Sequence, residues 1–251
     1  RTDVPELSAL VAGFPGRDKF KGTIIHPQFW PKDFDHTGKQ VVVIGSGATA
    51  VTIVPAMANS GAAHVTQLQR TPTYMVSRPA RDAIANTLRK FLPEKLAYAI
   101  TRFKNITLQD ITFKRVRNHP EKSKEFLVDG VKQLLGDKFN ETDFVPPYNP
   151  WDQRLCLVPD ADLFDAINDG RVSVVTDHID SFDETGIKLK SGKHLDADVI
   201  VTATGLNLAF AGKIAIAVDG KPVDFAKTFY YRNCMFSNVP NMAGVFGYIN
   251  A

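Results

Sequence analysis

Two hydrophobic periods alternate along this chain. Val41-Val42-Val43-Ile44 is a continuous apolar run, as in a parallel strand buried on both faces. A G-x-G-x-x-A turn follows, from Gly45 to Ala50, and then an apolar run that fits a helix. Val65-Thr66-Gln67-Leu68-Gln69, introduced by Gly61, predicts a second strand. Residues 161–169 suit a short helix, and Asp169-Gly170 turns into a strand at Val172-Ser173-Val174-Val175. Residues 177–190 read as a hairpin turning at Thr185-Gly186, with Ile187 and Leu189 in alternation. Val199 to Thr202 predicts the strand that completes the sheet opened at Val41, ending in Ala203-Thr204-Gly205. Val218-Asp219-Gly220-Lys221 is a further hairpin signal.

Between residues 80 and 148 the period becomes helical. Ile84, Leu88 and Phe91 share one spacing, and Leu96, Ile100 and Phe103 repeat it. Phe126-Leu127, Val131 and Leu134-Leu135 give another helix, which Gly136 ends. The aromatic residues here are expected in the core. Val145-Pro146-Pro147-Tyr148-Asn149-Pro150 reads as a rigid extended connection. Residues 20–31 show no simple period and read as a loop with buried aromatics. Taken alone, His26 there is a structural histidine and Trp30 a core anchor. The fold class is α/β, with a Rossmann-like domain interrupted by a helical insertion.

The turn after the first strand gives the fold a chemistry. Gly45 permits a tight turn, Gly47 lets a pyrophosphate approach the backbone, and Ala50 lets helix and strand pack closely. The N–H groups of Ser46, Gly47, Ala48 and Thr49, with the helix N-terminus, then face the phosphates. An NAD-specific fold usually places a carboxylate at the end of the second strand. Here Arg70 stands there, 25 residues after Gly45, followed by Thr71. A guanidinium binds a 2′-phosphate that a carboxylate repels, so NADP is expected over NAD. Gly205 allows close approach of backbone to a cofactor.

Composition narrows the class. The chain has 251 residues and 44% hydrophobic content, an ordinary globular balance with no run long enough to span a membrane. Cys156 and Cys234 form no C-x-x-C, and the six histidines show no metal-ligand spacing, so neither a disulfide framework nor a metal site is expected. A reducing cytoplasm is the expected compartment. No G-x-S-x-G elbow points to a hydrolase. Residues 81–140 hold 13 Lys or Arg against seven Asp or Glu, whereas the whole chain carries +3. Basic charge scattered among apolar residues fits a solvated helical surface better than a nucleic-acid or lipid contact.

Residues 20–31 taken together spell F-x-G-x-x-x-H-x-x-x-W-P, just before the glycine turn. That pattern resembles the fingerprint of the Baeyer–Villiger monooxygenases, class B flavoprotein monooxygenases. Gln69-Arg70-Thr71-Pro72 and the wording around Gly45 are also similar to this family, closest to its ethionamide-oxidising subgroup. The resemblance implies two cofactors, FAD and NADP, with a ketone or thioether and O2 as substrates. It implies that Arg70 and Thr71 hold the 2′-phosphate, and that Ala203, Thr204 and Gly205 close the nucleotide domain. His26 and Trp30 would stand outside the reacting shell. Arg154, which alone is equally well read as structural, falls on the family's arginine that reaches the flavin and stabilises developing negative charge. Many members carry lysine just before it; this chain has Gln153, which leaves Arg70 more of the phosphate selectivity.

The resemblance divides the chain into a connecting segment from the FAD domain (1–38), a nucleotide domain in two parts (39–80 and 149–205) around the insertion (81–148), and a return into the FAD domain (206–251). One glycine fingerprint is present, Arg1 stands first, and Ala251 stands last, just after the apolar stretch Gly244-Val245-Phe246-Gly247-Tyr248-Ile249. The sequence therefore reads as a central piece of an FAD- and NADPH-dependent monooxygenase. Two alternatives stand beside it: a nucleotide-binding module without catalytic activity, and a heteroatom-oxidising flavin monooxygenase.

Overall fold

Short apolar runs account for the central sheet. The computed structural model describes residues 13–153, 155–205, 214–232 and 234–244. The chain divides into two units, residues 1–205 and 206–251. Strands of the first unit are β1 (Thr23–Ile25), β2 (Gln40–Ile44), β3 (His64–Gln69), β4 (Met75–Arg78), β5 (Cys156–Pro159), β6 (Val172–Thr176), β7 (Ile179–Phe182), β8 (Gly186–Leu189), β9 (His194–Asp196) and β10 (Val199–Thr202). Its helices are α1 (Ala48–Asn59), α2 (Ala83–Phe91), α3 (Glu94–Asn118), α4 (Pro120–Leu135), α5 (Glu141–Phe144) and α6 (Asp162–Asn168).

β1, β10, β2, β3 and β6 lie side by side in that order, all parallel. Val41 and Val43 point to one face, where they pack with Ala50, Val51 and Val54 of α1 and Leu163 and Phe164 of α6. Val42 and Ile44 point to the other, against Phe182, Ile187, Leu189 and Leu195. That second layer is the antiparallel meander β7-β8-β9. Burial on both faces explains why β2 and β10 read as unbroken apolar runs. The Rossmann-like α/β expectation holds, with helices on one face and a meander on the other.

Several expectations change. Thr23–Ile25, read as part of a loop, is an edge strand paired with β10 (Ile24 opposite Ile200). Three residues are too few to show a period. Phe29 in the same run is 53% exposed, and Trp30 is half-buried, meeting Phe34 edge-on at 6.2 Å. The hairpin at 177–190 acquires a third strand, β9, and Met75–Arg78 pairs in parallel with Cys156–Pro159 across the insertion. The aromatic residues of the insertion divide: Phe144 is buried in the core and Phe139 packs against it, but Phe91 is 80% and Phe103 73% exposed, and Tyr98, Phe113 and Phe126 are also exposed. Periodicity identified shared faces such as that of Leu96, Ile100 and Phe103, but not whether the core covers them.

In the second unit, β11 (Ala217–Val218) and β12 (Lys221–Pro222) form the expected hairpin. Asp219 and Gly220 both take positive φ, as a two-residue primed turn requires. β13 (Tyr230–Tyr231) pairs with β14 (Met235–Phe236), where Tyr230 and Phe236 stack at 4.6 Å. Residues 245–251 of the expected return segment lie outside the described residues.

Candidate functional site

In a parallel sheet, ligands bind beyond the carboxyl ends of the strands, where the strand order reverses. Here the reversal falls between β2 and β10: from β2 the chain moves outward to β3 and β6, then returns to the other side as β10. Gly45 follows β2 and Ala203 follows β10, so both sequence-predicted segments meet at this point. Gly45 has φ +143°, and a Cβ there would lie 2.4 Å from the Ala203 carbonyl oxygen. Only glycine fits.

The fold places no such demand on Gly47. Its φ is −79°, which any residue adopts, and a Cβ would meet nothing within 4 Å. The space above it is open. Gly47 is also the N-cap of α1, offers no side chain to the helix, and is followed by a first turn without acidic residues. Among the described residues no side chain caps this helix start, and Ala48 and Thr49 are exposed while Ala50 is buried against the sheet. An open glycine at an uncapped helix N-terminus beside a switch point fits a dinucleotide pyrophosphate.

Arg70 emerges exposed at the end of β3, and among the described residues it forms no ion pair. Thr71 beside it is half-buried. The backbone that follows is held firmly. The Tyr74 hydroxyl donates to the Tyr148 carbonyl at 2.5 Å, and the Tyr148 hydroxyl donates to the Pro72 carbonyl at 3.2 Å. The two rings meet edge-on at 5.5 Å. Burial pushes the Tyr74 phenol up to about 12, helped by Tyr148, and burial also raises Tyr148. This pair ties the segment after Arg70 to the Pro-rich connector.

Gln69 makes a second tie. Its buried Nε2 donates to the Asp143 carbonyl at 2.8 Å and to Thr176 Oγ1 at 2.9 Å, joining β3 to α5 and β6. Gln67, also fully buried, reaches Gln69 at 3.5 Å, and its Oε1 has no hydrogen-bond partner among the described residues. Sequence reasoning missed these residues. The signal was the pair of glutamines at i and i+2 on one face of β3, the face that Val65 places in the core.

The remaining predicted residues cluster less tightly. Cys156 Sγ lies 3.6 Å from the Ser46 carbonyl oxygen, so β5 starts beside the glycine turn. Gln153, exposed, precedes Cys156 by three residues, about 10 Å of extended chain. Trp151 is held at φ +69° with its Nε1 buried and unpartnered among the described residues. Arg154 lies outside the described residues. His26 ends β1; its Nδ1 accepts from the Gln28 N–H at 3.3 Å, and its buried Nε2 has no partner among the described residues. Thr204 and Gly205 are exposed at the end of β10.

Comparison with known proteins identifies the family. The profile of the flavin-binding monooxygenase-like family matches residues 5–231. The "probable FAD-binding monooxygenase AlmA" of Acinetobacter baylyi is 52% identical over 238 residues, covering 95% of this chain and 48% of the relative. The "FAD-containing monooxygenase EthA" of Mycobacterium tuberculosis is 51% identical over 239 residues, covering 95% and 49%. The chain thus spans about half the length of the curated relatives it matches. Among solved structures, an oxidised steroid monooxygenase bound to NADP aligns with a TM-score of 0.60 at 23% identity, over 77% of this chain and 44% of that one. Cyclohexanone monooxygenase with bound ε-caprolactone aligns at 0.55 and 21% identity, over 78% and 45%. These two alignments show the shared fold. Together with the sequence matches they place the glycine turn in context: the chain belongs to the flavin-binding monooxygenase-like family.

Proposed function

We propose that this chain forms the NADPH-binding half of an FAD- and NADPH-dependent monooxygenase that converts a ketone to an ester or lactone, and that also oxidises thioethers. The observation that carries the reading is Gly47, open to solvent at the uncapped N-terminus of α1. In this reading the backbone of Gly45 to Ala50 holds the pyrophosphate, Arg70 and Thr71 bind the 2′-phosphate, and Ala203 to Gly205 form the opposite wall. Gln153 adds a neutral hydrogen-bonding side chain near the same edge. Residues 39–80 and 149–205 make up the nucleotide domain around the insertion 81–148, and segments 1–38 and 206–251 belong with the FAD domain.

The reaction consumes ketone, O2, NADPH and a proton, and yields ester or lactone, NADP+ and water. Bound FAD supplies the activation of oxygen. The chain's own residues orient the nicotinamide, exclude water and, through the Arg154 guanidinium, stabilise negative charge as it develops. His26 and Trp30 support the edge of the sheet from outside the reacting atoms. The F-x-G-x-x-x-H-x-x-x-W-P run supports ketone over purely heteroatom chemistry.

Arg70→Ala is the direct test. Losing a charge-assisted, two-pronged contact weakens NADPH binding by about 10- to 100-fold and leaves NADH nearly unchanged. Equal loss for both nucleotides removes Arg70 from the 2′-phosphate site. A flavin spectrum separates oxygenase from nucleotide module. Retained flavin that bleaches on NADPH addition supports oxygenation by this chain; saturable NADPH binding without flavin supports the module alone.

A further inference from the structure

The segment that carries Arg70 and Thr71 is accessible at its crest and buried at both feet. Gln69 before it is 1% exposed, and Pro72, Thr73 and Tyr74 after it are buried. Buried polar groups take hydrogen-bond partners, so each foot can be traced to what holds it. At the first foot, Gln69 Nε2 uses both of its hydrogens: one goes to the Asp143 carbonyl at 2.8 Å, the other to Thr176 Oγ1 at 2.9 Å. The Gln69 carbonyl accepts from the Asp177 N–H at 2.9 Å, so side chain and main chain of the residue next to Arg70 are both fixed. At the second foot, the Tyr148 hydroxyl donates to the Pro72 carbonyl at 3.2 Å and stands 3.4 Å from Thr73 Oγ1. Pro72 in turn confines Thr71 to extended backbone. Arg70 therefore stands on a main chain with little freedom of its own.

Two of the holding groups share an origin. Asp143 and Tyr148 lie where the insertion rejoins the nucleotide domain, 74 and 76 residues from the groups they meet. The Asp143 carbonyl is a fixed acceptor: Asn140 caps α5 by accepting from the Asp143 N–H at 2.9 Å, and Phe144 is buried beside Phe139. Tyr148 is kept in place by its ring, edge-on to Tyr74, and by its own carbonyl, which accepts from the Tyr74 hydroxyl. We propose that Gln69 and Tyr148 are positioning residues for cofactor selectivity. They hold Arg70 in the geometry that receives a 2′-phosphate, so the end of the insertion, and not the loop alone, sets the preference for NADP over NAD. The inference rests on the reading of Arg70 as the 2′-phosphate contact. The Tyr148 hydroxyl and Gln69 Nε2 are engaged with protein groups, so their effect on the nucleotide passes through Arg70. A two-pronged guanidinium–phosphate contact depends on angle as well as distance, which makes it sensitive to how its backbone is held.

The test is calorimetric titration of the intact protein with NADP+ and with NAD+, oxidised forms that leave a bound flavin unreduced. Tyr148→Phe keeps the ring and removes only the hydroxyl. It is expected to weaken NADP+ by about three- to tenfold, the worth of one hydrogen bond, and to leave NAD+ within about twofold. Gln69→Leu removes two bonds on the other side of Arg70 and is expected to weaken NADP+ by about tenfold or more, again with NAD+ nearly unmoved. In an Arg70→Ala background, Tyr148→Phe should have no further effect on NADP+, because a residue that acts through Arg70 then has nothing to position. A brace that served only the fold would instead weaken both nucleotides alike. An unchanged ratio of NADP+ to NAD+ affinity in Tyr148→Phe and Gln69→Leu, with the ratio reduced in Arg70→Ala, overturns the proposal and leaves the reading of Arg70 standing. A Tyr148→Phe effect of undiminished size in the Arg70→Ala background also overturns it. An unchanged ratio in Arg70→Ala itself overturns both, by removing the contact that Gln69 and Tyr148 would position.

Discussion

Gly45→Ala and Gly47→Ala, two substitutions in one turn, should fail in opposite ways. At Gly45 the new Cβ lies 2.4 Å from the Ala203 carbonyl oxygen, with φ at +143°. The neighbour is backbone in the middle of the sheet, so it cannot rotate aside. Left-handed strain contributes about 1–2 kcal/mol and forced backbone displacement about 1–3 kcal/mol, together about 3 kcal/mol. For a unit of this size that lowers the thermal midpoint by about 6–12 °C. At Gly47 the Cβ meets nothing and φ is already ordinary. The poorer N-cap costs about 0.5–1 kcal/mol, and reduced freedom of the unfolded chain returns about as much. The midpoint should therefore move by less than about 2 °C. The same methyl group stands where the pyrophosphate approaches, so NADPH affinity should fall at least about tenfold. Differential scanning calorimetry and fluorescence titration with NADPH read the two effects separately. A Gly47→Ala protein with unchanged NADPH affinity would refute the placement of the phosphates. A Gly45→Ala protein of normal stability would refute the close approach of β2 and β10.

Three further outcomes follow from the geometry. Arg154→Ala in the intact oxygenase should retain NADPH binding and lose oxygenated product by about 100- to 1000-fold, measured by product chromatography; normal product formation dismisses its role. Tyr74→Phe removes a hydrogen bond to the Tyr148 carbonyl and should cost about 1–2 kcal/mol at pH 7 in urea unfolding. Because the folded phenol ionises only near 12, its contribution is complete below about pH 10 and declines from there toward 12, so the gap between wild type and variant narrows in that window. Asp183 accepts from the Thr185 and Gly186 N–H groups and meets His194, contacts that hold its carboxyl below the usual range. Its contribution is present above the unfolded value near 3.8 and lost as pH falls through the folded one. Unfolding curves of Asp183→Asn and wild type should therefore differ at pH 7 and converge in acid.

The sequence made the sheet legible where residues are buried on both faces. Val41 to Ile44 and Val199 to Thr202 needed no partner to be recognised, since an unbroken apolar run has few other uses. The glycine turn was legible because its residues act through backbone geometry, which is local. Thr23–Ile25 was not, because a three-residue edge strand is defined by its neighbour rather than its own pattern. Gln69 was hidden for a related reason. Its partners, Asp143 and Thr176, lie 74 and 107 residues away, and no local rule makes a glutamine in a strand a core residue. The insertion exposed the limit of periodicity most directly: Leu96, Ile100 and Phe103 share a face, but that face is turned to solvent.

The position of β10 between β1 and β2 has a consequence for how the molecule is made. Gln40 and Asp198, which hydrogen-bond side by side, are 158 residues apart in the chain. At ribosomal speed β2 waits about 8–30 s before its neighbour is synthesised. During that interval β1 has no strand to pair with, because β10 is its hydrogen-bonding neighbour in the sheet. The wall that Ala203 gives the glycine turn is absent too. Nucleotide therefore cannot template early folding; it can only capture the finished sheet. The helices from 83 to 135, rich in local contacts, are complete long before that. The nascent chain should thus present a folded insertion on an open, strand-exposing base, the stage at which chaperone capture protects it most.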